Sequence, residues 1–113
     1  LKSVYATASY SYALVEKFNQ YAQIIRSGKY TQADIDQCNQ YFELARQAKI
    51  QEYQEIVDFT NEQLSSISIA TAQKKADARQ MIQEIEAEIQ RLSALKDTAD
   101  AAYQQLEGGM GGR

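Results

Sequence analysis

The 113 residues allow one domain of ordinary size, and a composition of 44% hydrophobic and 24% charged residues places the chain among folded globular proteins. Histidine is absent and the formal net charge is −3. These facts exclude Ser–His and Cys–His catalysis within the chain and argue against a general phosphate-binding surface.

Proline is also absent, and four of the five glycines lie in the last six residues. Between Gly28 and Gly108 no helix breaker of either kind occurs. Proline costs roughly 3 kcal/mol in a helix interior and glycine roughly 1 kcal/mol, so this gap is a strong helical signal. The expected fold class is all-α: a helical hairpin followed by a long helix, forming an elongated bundle or coiled coil.

The first segment carries Val4, Ala8, Ser11, Val15, Phe18, Ala22 and Ile25 at alternating steps of four and three. That is the spacing of a seam facing a partner helix, and it predicts a helix over 2–27. Leu14 and Tyr21 widen the stripe. Gly28 is suited to the left-handed conformation that closes a helix, with Arg26 and Lys29 at the negative end of its dipole. Thr31 to Asp34 then reads as a capping box with Asp in place of the usual Glu or Gln. A link this short makes the flanking helices antiparallel neighbours.

The second stripe runs Ile35, Cys38, Phe42, Ala45, Ala48, Tyr53, Ile56 and Phe59, with Ile50 and Val57 off it. Cys38, the single cysteine, is expected to act as a small buried hydrophobe. Residues 59–71 are the weakest part. Thr60, Asn61, Ser65, Ser66, Ser68 and Thr71 compete with helical backbone bonding, Thr60 to Gln63 fits a second capping box, and 66–69 alternate like a strand without a partner. With no Gly or Pro present, a continuous helix over 32–107 is the favoured expectation, and a kink or break near 60–68 the alternative. The continuous form would be roughly 110 Å long at about 1.5 Å per residue and would leave its far stripe bare.

That stripe is Ala78, Ile82, Ile85, Ile89, Leu92, Ala99, Tyr103 and Leu106, with Leu95 and Ala102 flanking it. Glu84 and Glu88 share an exposed side, and Arg91 relieves their repulsion. Residues 1–107 therefore read as one helical domain and 108–113 as a flexible Gly-rich tail. The chain opens on Leu1, not Met, so a processed product or a piece of something longer is expected.

No Gly-rich phosphate loop, calcium loop or Glu-x-x-His pair is present, so no catalytic, cofactor-binding or metal-ligating residue is nominated and no cofactor is expected. Lys74, Lys75 and Arg79 form the one basic cluster, interrupted by Asp77. No apolar run approaches the roughly 18 residues of a membrane span, so neither nucleic-acid binding nor membrane insertion is expected.

What remains is protein contact. Val15, Phe18, Ile25, Phe42, Ile56, Ile82, Ile85, Ile89, Leu92, Tyr103 and Leu106 are the candidate seam. Seven of the eight tyrosines fall within the first 53 residues, more than a two-helix core can hold, and half-buried tyrosines are typical of interfaces. The expectation is a non-enzymatic structural subunit of a larger helical assembly, a homo-oligomer or part of a complex. By analogy of composition alone, virion, tail, secretion or pilus-associated components are typical homes. A helical adaptor, chaperone or regulator that binds a partner through the apolar stripe is the alternative.

Overall fold

The computed structural model describes residues 2–66 and 72–111. They form three helices, α1 (Lys2–Arg26), α2 (Gln32–Ser66) and α3 (Ala72–Gly111), and no strand occurs among the described residues. The all-α hairpin-plus-long-helix class is the one the helix propensities lead to.

The α1–α2 turn follows its local chemistry. Ser27 N donates to the carbonyls of Gln23 and Ile24, and Gly28 N donates to that of Ile25 at 3.0 Å. These bonds satisfy carbonyls that a helix end otherwise leaves open, and they require Gly28 at φ +81°. On the far side, Thr31 N donates to Asp34 Oδ2 at 2.9 Å, while Asp34 N donates to Thr31 Oγ1 at 3.3 Å. The box is reciprocal, so the shorter Asp side chain does the work of the usual Glu.

A continuous helix over 32–107 is overturned. Such a helix would hold its ends roughly 110 Å apart, yet Gln32 Nε2 donates to Glu107 Oε1 at 3.0 Å. Helix α3 instead lies antiparallel along α2, and Ile82 is only 6% exposed. Burial of that stripe outweighs the few backbone hydrogen bonds that a helix break forfeits. Of the weak stretch, Thr60 and Ser65 remain inside α2 and turn their hydroxyls back onto the carbonyls of Ile56 and Asn61, at 2.8 and 3.0 Å. Thr60 is thus a mid-helix residue and not the N-cap of a new helix. The strand-like alternation over 66–69 and Thr71 extend outside the described residues.

Helix α3 also runs past 107 to Gly111, so residues 108–111, expected in a flexible tail, are helical. A helix adds one bond per residue once formed, and Gly108 does not take up the positive φ that would close it.

Helix α2 is the centre of the molecule. It packs against α1 on one flank and α3 on the other, and among the described residues no Cα of α1 comes within 8 Å of one in α3. The result is an open three-helix layer measuring 66 × 24 × 16 Å. Two-sided packing explains a departure from the single stripe read for α2. Val57, placed off the stripe, is 4% exposed, whereas Phe59, placed on it, is 37% exposed. Leu14, Ala45 and Ala48 form the tightest part of the α1–α2 core, with Val15, Tyr41 and Leu44 packed on it.

Candidate protein-interaction groove

Two helices flanking a third without meeting leave a groove over the middle one. Its floor is Phe42, Ala45, Arg46 and Lys49 of α2, and its walls are Val15, Phe18 and Asn19 of α1 and Leu92 and Leu95 of α3. Aromatic contacts tie the floor to both sides. The Phe18 and Phe42 ring centroids lie 5.6 Å apart, and those of Phe42 and Tyr103 lie 6.4 Å apart. On the flank of α1 turned from the groove, Tyr21 stacks on Tyr41 at 5.8 Å.

The groove continues along α3. Lys49 Nζ stands 5.9 Å from the centre of the Tyr53 ring, and Tyr53 forms a second depression with Met81, Glu84, Ile85 and Glu88. Met81, Ile85, Glu88, Leu92 and Leu95 follow steps of four and three, so they form one line along α3. Met81 is 43% exposed at the open end of this line. On α1, Tyr12 precedes Asn19 by seven residues and therefore shares its face; it is 66% exposed.

The cationic groups of Arg46 and Lys49 pair with carboxylates that do not line the groove. Arg46 Nε donates to Glu43 Oε2 at 3.1 Å, and Lys49 Nζ bonds Glu52 Oε2 at 3.2 Å. The Arg46 guanidinium holds the Glu43 carboxyl below the usual carboxylate range, and Lys96 of α3 adds to the effect. Lys96 itself pairs with Asp100 at 3.7 Å. On α3, Arg91 Nε bonds Glu88 Oε2 at 2.9 Å and lowers the Glu88 pKa. The opposite face of α2 is polar: Gln47, Gln51 and Gln54 are exposed and donate to Glu43, Glu55 and Asp58, each four residues away in the chain.

Cys38 and Ser11 are buried on the seams. Cys38 accepts a hydrogen bond from Tyr103 Oη at 3.3 Å. Burial, and then this bond, raise the Tyr103 phenol well above its ordinary value. Ser11 is fully buried, and its Oγ lacks a hydrogen-bond partner.

The eleven candidate seam residues divide. Val15, Phe18, Phe42 and Leu92 line the first part of the groove and Ile85 the second. Ile82 is buried, while Ile25, Ile56, Ile89, Tyr103 and Leu106 are half-buried within the chain itself. Arg46, Lys49, Asn19, Tyr53 and Met81 were not nominated. The four-three line through Met81 and Leu95 is the signal that would have found the α3 wall. The floor cations carry no such signal, because their position depends on α2 having two flanks.

Among the described residues, no group of three or more His, Cys, Asp or Glu is arranged to hold a metal ion, and no helix is long and apolar enough to cross a membrane. Comparison with protein-family models, curated proteins and solved structures finds no match.

Proposed function

We propose that this chain is a non-enzymatic structural subunit of a protein assembly, and that the groove over α2 is where it receives a helix of a neighbouring protein molecule. The observation that carries this reading is the groove itself. Apolar atoms of α1, α2 and α3 line an open gap, and no Cα of α1 comes within 8 Å of one in α3. An amphipathic helix laid there would cover both walls, the same way that helix-in-groove recognition works in general. Both the assembly and the adaptor expectations first relied on the stripe from Ile82 to Leu106. Ile82 of that stripe is buried, whereas Ile85 and Leu92 also line the groove, so the groove keeps only part of the stripe as contact surface.

The test uses a photo-reactive amino acid placed at Asn19, on the groove wall, or at Gln51, on the polar back of α2, in cells that make the protein. Cross-linking to protein from position 19 and not from 51 is the expected outcome. Equal yields from both faces, or none from position 19, would refute the groove as an interface.

A further inference from the structure

Helix α3 touches the rest of the molecule through α2 alone, since among the described residues no Cα of α1 comes within 8 Å of one in α3. Its hold is thin for its 40 residues. Among those described, only Ile82 is buried, while Ile85, Ile89, Leu92, Tyr103 and Leu106 are half-buried. The shorter α1, with 25 residues, buries Ser11, Leu14 and Ala22. Several polar side chains of α3 find their partners within α3 itself. Gln73 donates to Asp77 at 2.8 Å and Gln80 to Glu84 at 3.4 Å, while Arg91 pairs with Glu88 and Lys96 with Asp100. Such pairs, a composition rich in Ala, Gln, Glu and Lys, and this length favour a helix that persists after its tertiary contacts are lost. Two hydrogen bonds fasten its far end to α2, from Tyr103 Oη to Cys38 Sγ at 3.3 Å and from Gln32 Nε2 to Glu107 Oε1 at 3.0 Å.

We propose that α3 is a releasable strap: it lifts from α2 as one helix while the α1–α2 hairpin stays folded, and when closed it shields the Cys38 thiol. The open layer makes the two seams independent. Parting α3 from α2 removes no contact between α1 and α2, so the core of Leu14, Ala45 and Ala48 survives. Elements that meet only their neighbours open as units, at less cost than unfolding the whole chain. The pairs made within α3 travel with it. The two hydrogen bonds to α2 are exchanged for bonds to water, which cancels most of their worth. What holds the strap shut is therefore the burial of Ile82 and the partial burial of its neighbours on the stripe. Opening also carries off Leu92 and Leu95, so the groove exists only in the closed state.

The test is labelling of the full chain with excess iodoacetamide in native buffer, followed by mass spectrometry. Cys38 is buried and is the single cysteine, so the rate reports this flank of α2 and nothing else. Labelling at least about tenfold faster than the unfolded fraction from urea titration permits is expected. Ile82→Ala should speed it about thirtyfold or more, because Ile82 packs in the seam that opens. Leu14→Ala takes a buried side chain from the α1–α2 core instead and should change the rate by less than about threefold. Hydrogen exchange on the unmodified chain keeps the test decisive even where Leu14→Ala fails to fold: amides of α3 should exchange together and ahead of those of α1. Labelling no faster than global unfolding permits, labelling indifferent to Ile82→Ala, equal acceleration by Leu14→Ala, or α1 exchanging ahead of α3 would overturn the proposal.

Discussion

Replacing Gly28 isolates a purely backbone effect. Its φ is +81°, and a Cβ built there would meet nothing within 4 Å. Steric clash with neighbouring groups therefore contributes nothing, and the cost is that of holding an L-residue in the left-handed region. That cost is roughly 1–2 kcal/mol, while the reduced freedom of the unfolded Ala chain returns about 0.5 kcal/mol. Gly28→Ala should thus lose about 1 kcal/mol, and Gly28→Val about 2 kcal/mol, because a branched Cβ crowds its own backbone further. Gly28→Asn should lose least, since Asn tolerates this region best of the three. Urea unfolding followed by circular dichroism would read the series as falling midpoints at constant slope, and about 1 kcal/mol corresponds to a melting shift of about 4 °C. An Ala variant as stable as the parent, or Asn worse than Ala, would refute the assignment of the turn to a positive-φ glycine.

Ile82→Asp should cost about 3 kcal/mol or more by burying a carboxylate between α2 and α3, whereas Glu86→Ala should stay within about 0.5 kcal/mol; equal losses in urea unfolding would remove the case for the α2–α3 seam. Ser11→Ala should be neutral or stabilising by up to about 1 kcal/mol, because it deletes a buried hydroxyl whose oxygen has no partner, and a clear loss of stability would show that the hydroxyl is satisfied in solution. The Tyr103 phenol has a raised pKa in the folded state, so its contribution is complete below the unfolded value of about 10 and is lost as pH rises above that. Stability should therefore decline in alkali, and Tyr103→Phe should flatten that decline in unfolding experiments run from about pH 8 to 11.

The local punctuation of the fold was legible in the sequence. Gly28 and the Thr31–Asp34 box each act within four residues, so their chemistry does not depend on the rest of the molecule. The stripes on α1 and α3 were equally readable, since each helix buries one face and one face leaves one period. The course of the chain between α2 and α3 was less accessible. Thr60 has the composition of a cap, yet its hydroxyl is satisfied by the Ile56 carbonyl within the helix, and no propensity argument distinguishes the two outcomes. Val57 and Phe59 were misread for a different reason. A helix covered on two flanks has two overlapping apolar periods, and a single heptad line drawn through α2 describes neither.

That two-sided burial also explains why the layer stays open. Closing it into a compact three-helix bundle would bring α1 and α3 together over Arg46 and Lys49. Lys49 keeps 33% of its side chain exposed beside Glu52, and closure would remove that water without supplying a new acceptor. Desolvation of that kind costs several kcal/mol per ion, comparable to burying one or two of the leucines on the walls. Val15, Phe18, Leu92 and Leu95 are left facing a gap whose lining is apolar.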